Sequence, residues 1–113
     1  MPENYRDDHK TVLDALLLDM PGVTGGKAFG YPAYKIGGKV FCFVGGDGIS
    51  IKLPKGHVDA LISEGGAFGP FEPVEGTVWK SWVSIDRDTS EDYRGDIDLL
   101  EESVSFVAGY PAE

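Results

Sequence analysis

Residues 31–53 read YPAYKIGGKVFCFVGGDGISIKL, and this stretch carries the clearest structural pattern in the chain. Three short runs rich in valine, isoleucine and aromatic residues are separated by glycine-rich turns, which is the pattern of antiparallel strands joined by tight hairpins. We predict strands at residues 31–36, 39–44 and 49–53, with a shorter strand near residues 27–29. Glycine favours the connecting turns because it adopts positive φ without steric cost.

The strand at residues 39–44 is apolar on both faces. Side chains alternate along a strand, which predicts the following division: Val40, Cys42 and Val44 on one face, Phe41 and Phe43 on the other. A strand without a polar face is expected at the centre of a sheet. Residues 49–53 alternate between apolar and polar side chains, so this strand is predicted to have one wet face.

Helices are predicted on both sides of this block of strands. In the N-terminal segment, apolar residues recur at spacings of three and four, which indicates an amphipathic helix that ends at Pro21-Gly22. Asn4 is its predicted N-cap. Residues 54–63 are predicted to form a second, short helix with proline at its start.

The last part of the chain is predicted to contain a loop, a strand and a helix. Residues 64–73 are rich in glycine and proline and are predicted to form a loop. The side chains of residues 78–85 alternate between two faces, which predicts a strand. The start of the terminal helix is open between a cap at Thr89 and a cap at Asp96. Gly95 favours the later start, because glycine costs about 1 kcal/mol inside a helix relative to alanine.

Strands in one block with helices at both ends predict an α+β fold. We expect a single antiparallel sheet of about five strands, with the N- and C-terminal helices packed on one face. The expected element order is α-β(3-4)-α-β-α. A chain of 113 residues is also long enough to bury its own core, so we expect a single domain over residues 1–113.

The formal net charge of -9 disfavours generic binding to nucleic acid or anionic lipid. The charge is uneven, however. Residues 1–20 carry five acids and two bases, residues 21–85 carry five acids and six lysines, and residues 86–113 carry nine acids and two arginines. The acidity therefore lies in the two helical ends, and the strands between them are close to neutral. A local contact with an anion on the sheet is compatible with this distribution.

The sequence contains no recognisable catalytic constellation. Cys42 lies between phenylalanines in a buried strand, where a thiol is poorly accessible and its pKa is raised. A single cysteine cannot form an internal disulfide, which indicates a reducing compartment. We therefore expect a non-enzymatic cytoplasmic protein without a membrane span, and we assign no catalytic residue and no cofactor.

Metal ligands are not expected either. His9 and His57 have no cysteine, histidine or carboxylate at a metal-ligand spacing. The acidic stretch that begins at Asp86 has Glu91 and Ile97 where a calcium loop needs glycine and a bidentate glutamate. This stretch is predicted to be solvated and to cap the terminal helix.

Lysines and aromatic residues from the strands define a candidate binding face on the side of the sheet away from the helices. Its predicted members are Lys35, Lys39, Phe41, Phe43, Lys52, Lys80 and Trp82. Lysines mixed with rings are typical of single-strand nucleic-acid binding, in which bases stack and phosphates meet ammonium groups. The same residues fit a solvated face, a homodimer contact or a protein partner. The alternatives are open on the sequence alone.

Residues 27–43, KAFGYPAYKIGGKVFCF, resemble the core of the TfoX N-terminal-like and MmcQ/YjbR-like small proteins, in which FG is followed by Y, then GK, then F. The resemblance continues through residues 49–53, the tryptophan-containing strand at residues 79–85 and the terminal helix at residues 99–107. It covers about residues 10–108. It implies a compact α+β domain, related in shape to frataxin-like folds, in a cytoplasmic bacterial protein.

Three functions are compatible with these observations. The first expectation is a non-enzymatic binding or adaptor domain, a monomer or a homodimer, that uses the open sheet face and the loop at residues 64–73. The second is a nucleic-acid-binding regulator, because the resemblance implies DNA binding through a "double-wing" arrangement in part of the family; here, though, Arg6, Arg87 and Arg94 all lie outside the strands. The third is cation binding by the acidic helices, which the frataxin-like shape implies.

Overall fold

The computed structural model describes residues 7–28, 31–45, 48–72, 76–87 and 89–109. Within these ranges, three α-helices and one 3-10 helix accompany a six-stranded antiparallel sheet with strand order β1-β2-β3-β4-β6-β5. The elements in chain order are α1 (Asp7–Leu17), β1 (Val23–Ala28), β2 (Tyr31–Ile36), β3 (Lys39–Gly45), β4 (Gly48–Lys52), α2 (Lys55–Glu64), β5 (Phe68–Pro70), β6 (Trp82–Ile85), the 3-10 helix (Ser90–Asp96) and α3 (Ile97–Ala108). The predicted α+β class, with one antiparallel sheet and helices at both ends, is confirmed.

The sheet has one strand more than predicted. β5 lies inside residues 64–73, which were expected to form a loop, and it pairs with β6 so that Gly69 lies opposite Ser84. Its three residues include glycine and proline, which are depleted from strands, so the sequence pattern does not reveal it. β1 is also longer than expected, since it begins at Val23.

The helix boundaries explain why the start of the terminal helix was ambiguous. Thr89 precedes the 3-10 helix and Asp96 precedes α3, so each proposed cap marks a real helix start. Neither side chain makes a capping hydrogen bond. At the other end of the chain, α1 ends at Leu17, before the predicted stop at Pro21-Gly22. Asn4, the predicted N-cap of α1, lies outside the described residues.

The main core lies between the helices and one face of the sheet. All three α-helices contribute buried side chains, which are Val12, Leu13, Leu17, Val58, Leu61 and Leu100. These residues pack with the inward-facing side chains of the strands, including Ile49, Ile51, Val83 and Ile85. The opposite face of the sheet, called the outer face below, carries a separate small cluster built around Ala33, Phe43 and Trp82.

A β-bulge in β3 places Phe41 in the main core. The register between β2 and β3 shifts so that Phe41, between Val40 and Cys42, has no partner residue of its own. A bulge of this kind interrupts the alternation of side chains. Phe41 is fully buried beneath the helices together with Cys42, whereas Val40 packs on the outer face. The prediction that Phe41 shares a face with Phe43 is therefore wrong.

Ser103 joins α3 to the bulged strand. Its buried hydroxyl donates a hydrogen bond to the backbone carbonyl of Lys52 at 2.6 Å and lies 3.3 Å from the carbonyl of Phe41. Buried carbonyls need such partners because water cannot reach them. These contacts fix the position of α3 relative to β3 and β4.

We expect Ser103→Ala to lower the free energy of unfolding by about 1 to 2 kcal/mol, because it leaves a buried carbonyl without its donor. Urea denaturation followed by tryptophan fluorescence measures the change. Ser105→Ala is the matched control, since Ser105 lies on the same helix but is exposed. The control is expected to change stability by less than about 0.5 kcal/mol. Equal unfolding midpoints for the two variants would contradict the assigned role of Ser103.

Candidate binding surface

Strand pairing brings the four predicted lysines to one end of the sheet. β2 leads into β3 through a two-residue glycine turn, so Lys35 and Lys39 flank the same strand end. Lys52 is the last residue of β4 and lies opposite Trp82, the first residue of β6. Lys80 directly precedes this point in the chain. This end of the sheet, defined by Lys35, Lys39, Lys52 and Lys80, is called the lysine end.

Five lysines of the described chain, the four of the lysine end and Lys27 on β1, have no carboxylate partner among the described residues. Four other basic residues are paired with carboxylates, in the pairs Lys10–Asp14, Lys55–Asp59, Arg87–Asp96 and Arg94–Glu91. The four residues of the lysine end form no ion pair with another described residue. The chain has 19 acids against 10 lysines and arginines, yet none of the acids in the described ranges forms an ion pair with this surface. It is therefore able to attract an external anion.

The other end of the sheet carries carboxylates. Asp86 follows β6 and lies against Gly48 at the start of β4. A cleft of about 360 Å³ at this end is lined by Gly66, Ala67, Asp86, Arg87 and Asp92. β4 is five residues long, which corresponds to about 16 Å. Opposite charges thus occupy the two ends of the strands.

Arg87 and Tyr93 fix the 3-10 helix at this acidic end. The Arg87 guanidinium donates two hydrogen bonds to the Asp96 carboxylate, from Nε at 3.1 Å and Nη2 at 2.6 Å, and lies 5.4 Å above the Phe68 ring. Hydrogen bonding to Asp96 raises the pKa of Arg87. The Tyr93 hydroxyl donates to the carbonyl of Ile85 at 2.9 Å, and burial raises the pKa of Tyr93 to about 12. The Arg87 side chain is therefore used in contacts within the protein.

The rings predicted for the open sheet face are covered by the chain itself. Phe43 and Trp82 are 4% and 7% exposed, because Phe71 and Trp79 pack onto them with ring centroids 5.7 to 5.9 Å apart. The amide of Trp79 donates to the carbonyl of Phe71 at 2.9 Å and holds this segment over the sheet. β6 is accordingly shorter than the strand predicted at residues 78–85. Phe43 and Trp82 do not offer a free stacking platform.

A cleft of about 380 Å³ opens at the lysine end, beside the last turn of α3. It is lined by Lys39, Val40, Lys52, Phe106 and Val107. Phe106 is 40% exposed, and Lys39 is also exposed. Glu102, one turn earlier on α3, already has a partner, since its Oε2 lies 2.7 Å from Nδ1 of His57. The cleft thus combines two lysines with an apolar floor.

Sequence reasoning missed Val40 and Phe106 as members of this surface. Phe106 extends the apolar stripe of the terminal helix, which predicts a core residue. Leu100, Val104 and Val107 follow a spacing of four and three residues, and Phe106 does not fit it. This departure is the signal that could have identified Phe106 as a surface residue. Val40 gave no such signal, because its orientation depends on the bulge that follows it.

The side chains that could carry redox, nucleophilic or metal chemistry are not grouped together in the described chain. Cys42 is a free thiol that is fully buried, and burial raises its pKa. His9 is buried with its ring edge-on to Tyr93, at a centroid distance of 5.0 Å. Across the described ranges, no three histidine, cysteine or acidic residues are grouped to hold a metal ion. The helices of the described chain are all too short or too polar to cross a bilayer.

Fold and surface together define a small α+β domain whose sheet is covered by helices on one face and presents unpaired lysines at one end. A comparison with models of protein families matches residues 18–105 to the YjbR family. This chain belongs to the YjbR family, which confirms the resemblance to MmcQ/YjbR-like proteins. Searches of curated proteins and of solved structures each found no match.

Proposed function

We propose that this chain is a non-enzymatic binding domain, of the adaptor kind, and that the lysine end is its binding surface. One observation carries the proposal: four lysines lie at the same end of the neighbouring strands β2, β3, β4 and β6 and form no ion pair with another described residue, in a chain of net charge -9. The partner that fits this surface is an acidic segment of another protein.

The absence of an enzymatic role is part of the proposal. Its support is that the side chains able to do chemistry are separated or used by the fold. Cys42 is in the core, His9 is buried against Tyr93, and His57 is engaged with Glu102 on the surface. General acid–base and nucleophilic catalysis need such groups within hydrogen-bonding reach of each other in an accessible site. The single free thiol supports a cytoplasmic location.

A short acidic segment suits this surface better than a long nucleic acid. The Debye length at physiological salt is about 8 Å, so a short ligand at the lysine end is largely screened from the carboxylates at the other end of the sheet. A nucleic acid that extends past the lysine end meets those carboxylates. The rings of Phe43 and Trp82 are also covered by Phe71 and Trp79, which removes the stacking expected for single strands.

Fluorescence anisotropy with a fluorescein-labelled peptide of ten glutamates tests the proposal. At about 50 mM salt we expect micromolar binding that weakens about tenfold in Lys39→Glu/Lys52→Glu, because two favourable contacts become repulsive. Lys27→Glu is the matched control. Lys27 is exposed on β1 and pairs in register with Pro32, at the opposite end of the sheet from the lysine end. Its effect is expected to stay within about twofold.

Two results would contradict the proposal. One is an absence of binding to the unaltered protein at millimolar peptide. The other is an equal loss of affinity in Lys27→Glu and in the single variant Lys39→Glu, which changes the net charge by the same amount; equal losses would indicate a nonspecific response to net charge.

Nucleic-acid binding is the second candidate function, and the same four lysines favour it because ammonium groups also contact phosphates. A labelled 20-nucleotide oligothymidylate in the same assay separates the two. If the oligonucleotide binds more tightly than the acidic peptide and displaces it, the partner is a nucleic acid. If the peptide binds more tightly, the protein-binding proposal stands.

A further inference from the structure

The cleft beside α3 indicates which side chains its ligand contains, in addition to the ligand's charge. We propose that this cleft binds a peptide segment in which an apolar side chain stands next to a carboxylate. The inference rests on the proposed function, since it assigns the partner's chemistry at the lysine end. It adds an apolar contact that charge alone does not require.

The floor of the cleft supplies that apolar contact. Val40 and Val107 are half-buried, and Phe106 is 40% exposed beside them. An exposed large apolar side chain is ordinary when it is isolated on a surface. Here it borders a concave surface shared with two valines, and a side chain placed there would remove all three from water. Exposed aromatic residues in such settings are frequent anchors of protein interfaces.

The rim of the cleft supplies the charge. Lys39 is the first residue of β3 and Lys52 is the last residue of β4, so the two lysines that line the cleft come from neighbouring strands. Neither forms an ion pair with another described residue. Charge complementarity therefore selects an acidic occupant.

The end of α3 orients the occupant. The helix stops at Ala108, and Phe106 and Val107 of its last turn line the cleft, so the C-terminus of α3 lies next to the cleft. The C-terminus of a helix carries partial negative charge and repels anions. The carboxylate is thus favoured beside Lys39 and Lys52, and the apolar side chain beside Phe106 and Val107. This arrangement requires the two side chains to be adjacent in the ligand.

The cleft is also held in shape before the ligand arrives. The Ser103 hydroxyl joins α3 to the Lys52 carbonyl at 2.6 Å, close to the lysine that forms the rim. A site whose walls are already fixed loses less conformational entropy on binding. The volume of about 380 Å³ lies near the lower limit of the ~300–1,000 Å³ typical of ligand pockets. It suits one apolar side chain and its acidic neighbour.

Two labelled peptides test the inference by anisotropy: GSEELFEESG, and GSEESSEESG as the matched peptide of equal charge. We expect the protein to bind the Leu-Phe peptide about tenfold more tightly than the serine peptide, since buried aromatic anchors dominate such contacts. Phe106→Ser is expected to reduce this preference to within about twofold while the affinity for the serine peptide stays the same. Leu18→Ser is the control variant, because Leu18 is also exposed but does not line the cleft.

The outcomes separate this inference from the proposed function. If the protein binds both peptides equally, and both weaken in Lys39→Glu, then the lysine end binds acidic ligands but the apolar contact is wrong. If neither peptide binds while the ten-glutamate peptide does, only this inference fails; if none of the three peptides binds, both proposals fail. If Leu18→Ser removes the preference as fully as Phe106→Ser does, the apolar contact lies elsewhere and the cleft is not the site. Circular dichroism of each variant verifies that it is folded.

Discussion

Replacing Arg87 by leucine is expected to lower the free energy of unfolding by about 3 kcal/mol. The Asp96 carboxylate is only 5% exposed and receives both of its short hydrogen bonds from the Arg87 guanidinium. Removing the arginine leaves a buried charge without compensation. Because the Arg87 side chain itself is 29% exposed, we place the loss at the lower limit of the ~3 to 5 kcal/mol typical of broken buried pairs. Urea denaturation measures it.

Arg94→Leu is the matched control for this prediction. Arg94 pairs with Glu91 on the surface, where both side chains are more than half exposed. Exposed pairs contribute about 0 to 1 kcal/mol, so a small change is expected. The double variant Arg87→Leu/Asp96→Asn is expected to be more stable than Arg87→Leu by more than about 1 kcal/mol. The reason is that it also removes the buried Asp96 charge, which Arg87→Leu leaves without a partner. If Arg87→Leu and Arg94→Leu have equal effects, the pair with Asp96 does not hold the 3-10 helix in place.

Raising the pH from 8 to 11 is expected to destabilise the fold by an amount on the order of 4 kcal/mol. Burial raises the pKa of the Cys42 thiol and of the Tyr93 hydroxyl, and burial together with the hydrogen bond to Asp14 raises that of Tyr34. These groups stay protonated in the folded chain. In the unfolded chain they ionise near their usual values of 9.0 for the thiol and 10.0 for the phenols.

The sign follows from the proton balance. Above these usual values the unfolded state binds fewer protons than the folded state, so stability falls as the pH rises, by about 1.4 kcal/mol per pH unit for each group. Urea denaturation at pH 8, 9, 10 and 11 measures the decline. Tyr34→Phe is expected to flatten the decline between pH 10 and 11, because one of the three groups is removed. A stability that is the same at pH 8 and pH 11 would show that these groups ionise equally in both states.

The block of strands was predictable because its signals are local. Period-two alternation and glycine turns within residues 31–53 identify β2, β3 and β4 without knowledge of their partners. The third strand in this block even ends close to its predicted boundary. β5 was not predictable, because its three residues, two of them glycine and proline, form a strand only through pairing with β6.

The candidate site was predictable in composition but not in geometry. Lys35, Lys39, Lys52 and Lys80 were identified from the sequence, yet their gathering at one end follows from strand register, which joins residues far apart in the chain. The inward turn of Phe41 depends on the bulge in β3. The covering of Trp82 depends on the segment that contains Phe71 and Trp79. These relationships arise from tertiary pairing, to which local propensity is insensitive.

The proposed function requires that the lysine end bind anionic partners. A titration of the 15N-labelled protein with the ten-glutamate peptide, followed by two-dimensional 1H–15N NMR, tests it most directly because every backbone amide reports its own position. We predict that the largest shifts fall on amides at and next to Lys35, Lys39, Lys52 and Lys80, and that they diminish as salt is raised. Largest shifts at Arg87 and the 3-10 helix, or no shifts at millimolar peptide, would contradict the claim.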